Sequence, residues 1–267
     1  VPADYSRFNA LRITVAGPVL TIAINNAPHN AITRDAHREL SEVFYEVQKD
    51  ETVRAVVFTG EGEVFSAGGD IEAMVAAAKA KDYAHWSLSM TEARRILISM
   101  LDLDKPIIAR VNGHAMGLGA SLVLFSDIAV MSSKAKLADP HVQVGLTAGD
   151  GGALIWPQLM GYARAKRYLL TGDRLSAAQC LEFGLVAEVV EPEDLDRTVA
   201  DLAARLCQLS PRAVATTKRA INIPLLREAV SSADAHLGLE TFAKLTDDHL
   251  EAATAIRDKR PPAFTGR

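Results

Sequence analysis

The chain is 267 residues long, 49% hydrophobic and 23% charged. A chain of this length buries about 70% of its extended surface on folding, which excludes a disordered, collagen-like or disulfide-framework protein. The 29 basic and 33 acidic residues leave a net charge of −4, which argues against a general nucleic-acid or membrane-surface binder. Cys180 and Cys207 show neither CxxC nor metal spacing and read as thiols of a reducing compartment. No apolar run reaches about 18 residues, and Val1-Pro2-Ala3-Asp4 is neither the basic nor the apolar part of a leader. A cytoplasmic location, away from membranes, is expected.

In chain order, Leu11 to Val15 and Val19 to Ile24 flank Gly17-Pro18 and predict a hairpin. Thr33 caps a helix running to about Lys49, with Ala36, Leu40, Val43, Phe44 and Val47 on one stripe. Strands are expected at Arg54 to Thr59, Ile107 to Val111, Asp127 to Met131 and Leu185 to Val190. Helical patterns fill the gaps: Ile71 to Ala80, Ala84 to Asp102, Leu118 to Phe125, Ala153 to Met160 and Arg164 to Leu169. This alternation implies an α/β body with a mostly parallel sheet and crossover helices. After Glu191 only helical stripes remain, through Leu195, Val199, Leu202 and Leu206 and then from Ala229 to Leu250. Two regions follow: residues 1–191 as an α/β core and 192–267 as a helical oligomerisation region. There is no internal repeat.

Three glycine-rich stretches could carry chemistry. Phe65-Ser66-Ala67-Gly68-Gly69-Asp70 and Asn112-Gly113-His114-Ala115-Met116-Gly117-Leu118-Gly119-Ala120 each join a strand to a helix. In open α/β sheets ligands bind at the carboxyl ends of strands. Helix N-termini there carry unpaired amides, and two such turns could aim two amides at one oxygen as an oxyanion hole. Taken singly, either turn reads as glycine making a tight bend. The third stretch, Asp139 to Gly152, places His141 and Asp150 nine residues apart on one polar loop. A carboxylate beside an imidazole orients it as a general base. The competing reading makes Asp150 the cap of the next helix and His141 a loop histidine on a backbone carbonyl.

These residues resemble the crotonase superfamily, the enoyl-CoA hydratase/isomerase family. The resemblance rests on Phe65 to Ile71, Lys105 to Gly113, Ser126-Asp127-Ile128, Leu170 to Leu175, Phe183 to Val186 and the tail Asp248 to Phe264. It implies a spiral of ββα units, a C-terminal helical trimerisation region, and trimers that pair into hexamers. It also implies an acyl-CoA thioester substrate, with no tightly bound cofactor and no metal, whose enolate is held by the amides of Gly69 and Leu118. Coenzyme A contacts are then expected at Ala67, Gly68, Asp70, Ile71 and Lys259. Two carboxylates of hydratases are missing: Ser121 and His141 stand where that family carries glutamate.

The His141…Asp150 loop is similar to the oxocamphor hydrolase branch, whose members cleave cyclic β-diketones, and His37 matches a further histidine of that branch. Three functions are thus expected as alternatives. One is acyl-CoA chemistry with a His141/Asp150 base, and another is carbon–carbon hydrolysis of a diketone. The last is a catalytically silent scaffold. Among other residues, His114 reads as a turn residue, His85 and Trp86 as core packing, and Glu240 as part of a solvated helix face.

Overall fold

The computed structural model describes residues 3–267; Val1 and Pro2, half of the leader reading, lie outside the described residues. β1 (Leu11–Ala16) and β2 (Val19–Ile24) form the expected antiparallel hairpin, paired from Leu11↔Ile24 to Ala16↔Val19. α1 (Arg34–Lys49) begins where Thr33 accepts the Ala36 N–H at 3.2 Å. β3 (Ala55–Gly60) leads through a glycine-rich loop to α2 (Ile71–Ala80), and α3 (Tyr83–Asp102) follows with Asp82 as its cap. β4 (Ile107–Val111) and the two-residue β5 (Ala115–Met116) lead to α4 (Leu118–Phe125). β6 (Ile128–Ser132) and β7 (Lys136–Ala138) precede α5 (Gly152–Met160) and α6 (Tyr162–Leu169). Then come β8 (Leu175–Ser176), α7 (Ala177–Glu182) and β9 (Glu188–Val190). Three helices close the chain: α8 (Leu195–Gln208), α9 (Pro211–Lys244) and α10 (Asp247–Arg257).

The main sheet has the order β1-β2-β3-β4-β6-β9, and every pairing beyond the hairpin is parallel. Its central strands β3, β4 and β6 are buried on both faces, so their sequences are nearly continuous apolar runs rather than alternating ones. Residue parity still sorts the two faces. Val56, Phe58, Ile107, Ala109, Val111 and Met131 join the large core under α1, α3, α4 and α5. Val57, Ile108 and Val130 point the other way, onto Leu195, Val199 and Ala203 of α8. Burying a side chain such as Leu195 or Val199 is worth about 1.5–3 kcal/mol, so α8 holds the second face of the sheet.

Four features differ from the expected elements. A second, three-stranded sheet, β5-β7-β8, was not foreseen, because two- and three-residue strands leave no alternation to read. α7 carries a full Ser176/Gln179 capping box that was overlooked. The strand expected from Leu185 shrinks to β9, since the Leu185 N–H is drawn back to the Cys180 carbonyl at 2.9 Å. The last stripe is two helices rather than one, because Thr246 accepts the His249 N–H and starts α10 afresh.

Candidate active site

Loops at the carboxyl ends of β3, β4 and β7 meet in one cleft. The first two are locked together by backbone. The Met116 N–H donates to the Ser66 carbonyl at 2.9 Å, and Ser66 Oγ donates to the Asn30 carbonyl at 2.8 Å while accepting the Gly68 N–H at 3.1 Å. Gly68 sits at φ +85°, and a Cβ there would lie 2.9 Å from the Met116 carbonyl oxygen. That contact explains the glycine: the loops approach too closely for any side chain.

This approach brings Gly69 and Leu118 to the same cleft wall. Leu118 opens α4, so its amide is one of the unpaired donors of a helix start. Among the described residues neither amide has a protein acceptor. Leu118 itself is 6% exposed. Asp70 is engaged as the α2 cap, accepting the Ala73 N–H at 3.1 Å, and also borders the cleft. Ala67 is exposed, with its N–H on the His29 carbonyl, and Ile71 opens α2. Lys259 is exposed beyond α10 and does not line the cleft.

Opposite these amides, β7 ends in Asp139 and a single 3-10 turn begins at His141. His141 Nδ1 contacts Asp139 Oδ1, and its Nε2 lies 3.3 Å from Asp150 Oδ2. The sequence expectation of a His141–Asp150 contact is met, and folding adds Asp139, which sequence reading left among the loop residues. All three are buried: Asp139 is 1% exposed, His141 and Asp150 8% each. The alternative role for Asp150 as a helix cap is not seen; Gly151, at φ +122°, occupies that position without a side-chain bond. Asp150 Oδ1 and Asp139 Oδ2 are buried with no partner.

Burial alone would drive the His141 pKa down, but the charges of Asp139 and Asp150 and their hydrogen bonds outweigh it and raise the pKa well above 6.5. At neutral pH His141 is therefore an imidazolium between two carboxylates. Donor atoms of the three residues lie within 4.8 Å of one another, a grouping that sequence spacing did not show. Each ring nitrogen of His141 already faces a carboxyl oxygen within this cluster.

Other expected residues fall differently. Ser121 is fully buried in α4, its hydroxyl has no partner, and it does not line the cleft. A Cβ on Gly151 would sit 3.4 Å from Ser121 Cβ, so Ser121 packs behind Asp150 rather than beside a substrate. His37 does line the cleft, with Nδ1 2.6 Å from Glu92 Oε2. His85 and Trp86 also border it, although Trp86 is only 4% exposed. Glu240 corrects the solvated-face expectation: it is 5% exposed, borders the cleft, and pairs with Lys244 at 2.8 Å. His249 on α10 was missed altogether. Its Nδ1 donates to the Val144 carbonyl at 2.7 Å, which anchors the turn carrying His141. α10 also packs on α2, so one helix braces both halves of the cleft.

The family profile described as enoyl-CoA hydratase/isomerase matches residues 14–267. The chain belongs to the enoyl-CoA hydratase/isomerase family. Its fold is accordingly crotonase-like. This family member is 34% identical over 250 residues to a short-chain-enoyl-CoA hydratase of Clostridium acetobutylicum, covering 91% of this chain and 93% of the relative. Among solved structures, an enoyl-CoA hydratase/isomerase from Mycobacterium paratuberculosis superposes with a TM-score of 0.89 at 37% identity, covering 94% of this chain and 99% of that one. A β-diketone hydrolase from the cyanobacterium Anabaena, bound to (S)-3-oxocyclohexyl acetic acid, superposes with a TM-score of 0.82 at 26% identity, over 90% and 96% of the two chains. No helix of the described residues is long and apolar enough to cross a membrane.

Proposed function

We propose that this family member is an acid–base enzyme that generates an enolate from an acyl-CoA thioester. The amides of Gly69 and Leu118 hold the enolate oxygen, and the Asp139–His141–Asp150 unit moves the proton. The observation that carries this reading is the pairing in one cleft of two acceptor-free amides with a buried histidine whose two ring nitrogens each face an aspartate. Amides pre-aimed at developing negative charge are commonly the largest single contribution to such catalysis, about 100- to 1,000-fold per donor.

The clamp supports a division of roles. His141 already carries its proton at neutral pH, so it is not the accepting atom. Asp150 borders the cleft and its Oδ1 has no hydrogen-bond partner; in this reading its carboxylate is the group that takes a proton from the substrate α-carbon or from water. His141 neutralises part of the charge on both aspartates and so makes their burial tolerable. Hydration by two facing carboxylates, the hydratase arrangement, is disfavoured because Ser121 lies outside the cleft and His141 is cationic. Coenzyme A contacts through Ala67, Gly68, Asp70, Ile71 and Lys259 belong to this reading.

A second reading is favoured by the same triad. If Asp150 deprotonates water, the hydroxide attacks one ketone of a cyclic β-diketone. The bond between that carbon and the central carbon breaks, and its electron pair leaves as an enolate that the Gly69 and Leu118 amides can hold. The β-diketone hydrolase among the structural neighbours supports this alternative.

One experiment separates them. The protein is incubated with butyryl-CoA in D2O, with α-proton exchange followed by NMR, and in parallel with cyclohexane-1,3-dione in H2(18)O, with 18O incorporation into 5-oxohexanoate followed by mass spectrometry. Exchange on the thioester is expected, and its loss in His141→Ala completes the assignment. Diketone opening without exchange would replace the first reading by the second. Silence with both would refute the enolate site.

A further inference from the structure

The cleft contains a second histidine–carboxylate pair that the roles above leave unused. His37 on α1 and Glu92 on α3 meet at 2.6 Å, with side-chain exposures of only 14% and 8%. The two helices otherwise join through the apolar core. Packing does not require an ion pair in such a seam, where apolar residues of similar volume are often neutral or stabilising. The pair does something that packing would not. A carboxylate can only accept, so Nδ1 of His37 is the donor and the ring is fixed in orientation. Nε2 is then left without a protein partner among the described residues, on a side chain that lines the cleft shared by His141 and Asp150.

Building on the enolate reading, we infer that Glu92 is a positioning residue that presents Nε2 of His37 to the substrate, making His37 the second proton carrier of the site. The resemblance to the hydrolase branch placed His37 in the site but supplied no partner for it; Glu92 is that partner. The division of labour follows from charge. Asp150 takes a proton, and the enolate held by Gly69 and Leu118 must later receive one. When protonated on both nitrogens, His37 gives its Nε2 proton to the enolate carbon. An N–H bond breaks, a C–H bond forms from the enolate's electron pair, and the imidazole is left neutral with Nδ1–H still on Glu92. Asp150 then releases its proton to solvent, and solvent at the cleft mouth reprotonates Nε2 of His37, so both groups are reset.

Besides Glu92 on α3, which contacts His37, the charged and titratable groups that share its cleft are Arg34 on α1, Asp70 at the start of α2, His85 on α3, Glu240 and Lys244 on α9, His141 with Asp150 on the β7–α5 loop, and His249 on α10. Arg34 is already paired with Asp82 at 2.8 Å, and Lys244 with Glu240 at 2.8 Å. Glu92 is the charged group in direct contact with His37.

The test uses the full chain and whichever of butyryl-CoA exchange or cyclohexane-1,3-dione hydrolysis the wild type catalyses. Glu92→Gln is expected to lower kcat about 10-fold or more with KM changed less than twofold, since positioned proton transfer is worth about 100-fold or more. The basic limb of the kcat–pH profile should fall by about one unit or more when the opposing charge goes. Glu92→Asp should recover part of the rate, and His37→Ala should cost at least as much as Glu92→Gln. 15N NMR of the imidazoles should find a proton on Nδ1 of His37. An active Glu92→Gln protein with wild-type rate and pH profile, or a His37 ring without that proton, overturns the proposal. Should Glu92→Gln fail to fold, Glu92→Asp must itself slow turnover, and a wild-type rate in it is equally fatal. A wild type that turns over neither probe sinks the enolate reading and this proposal together. Normal wild-type turnover untouched by the Glu92 variants sinks this proposal alone.

Discussion

Replacing Asp139 by asparagine tests the residue that sequence reading passed over. Asp139 is 1% exposed, and Oδ1 alone faces both the backbone N–H and Nδ1 of His141. Asparagine keeps the shape and one acceptor but removes the charge. Its new NH2 has nowhere to go, because Oδ2 lies 2.0 Å from where a Gly152 Cβ would stand and has no hydrogen-bond partner. An unsatisfied buried donor costs about 1–3 kcal/mol, and breaking a buried pair costs about 3–5 kcal/mol. Taking the lost pair alone, at about 2–4 °C per kcal/mol for a chain of this size, Tm should fall by roughly 6–20 °C.

The sign with pH follows from the raised His141 pKa. A raised folded-state value means that the stabilisation is fully present below the unfolded value of 6.5 and is lost as pH rises through the folded value. The Tm gap between wild type and Asp139→Asn should therefore be widest at pH 6 and narrow in strongly alkaline buffer. Activity should drop about 100-fold or more, with the basic limb moving to lower pH. Differential scanning calorimetry across pH, together with steady-state rates on the active probe, measures both effects. An Asp139→Asn protein with unchanged rate and a pH-independent Tm would show that Asp139 merely fills space.

Asp150→Asn should keep the fold and cut the rate at least as far, and Asp139→Asn combined with His141→Ala should be little worse than His141→Ala alone, because groups acting as a unit are non-additive; a double-mutant cycle on rates decides. Leu118→Pro deletes an oxyanion N–H and should cost about 100- to 1,000-fold, whereas Leu118→Ala keeps it and should cost far less in the same assay. Hydration of crotonyl-CoA should be weak in wild type, since Ser121 and His141 replace two carboxylates; robust turnover in a 263-nm absorbance assay, about equal to an ordinary hydratase, would contradict the roles given to them. EDTA treatment should leave activity unchanged, because carboxylates already engage both nitrogens of His141; loss restored by a divalent ion would reassign the cluster. Ile221, Ile223, Val230 and Phe242 are more than half exposed on α9, apolar surface on more than one side of the helix that an oligomer would cover, and light scattering should report a trimer or its dimer rather than a single chain.

The sequence was most legible where chemistry is local. His141 and Asp150 share one loop, so nine residues of separation were enough to pair them. Asp139 hid in plain view two residues from His141, since a short loop offers many polar neighbours and only β7 shows which one points inward. Glu92 and Glu240 were illegible for another reason. Each lies on a long helix with apolar residues on several faces, where periodicity does not fix which polar residue turns inward. The main sheet was readable because its buried strands are continuous apolar runs, while β5, β7 and β8 are too short to have a pattern.

The brace between α10 and the catalytic turn carries a consequence for the timing of synthesis. The Val144 carbonyl and its His249 partner are 105 residues apart in sequence. Chains emerge at about 5–20 residues per second, so the turn holding His141 waits roughly 5–20 s for the helix that steadies it. Until then Asp139, His141 and Asp150 form a charged cluster with one wall missing and water at hand. The nascent protein can fold its sheet early, but this wall of the cleft is completed only once α10 has emerged.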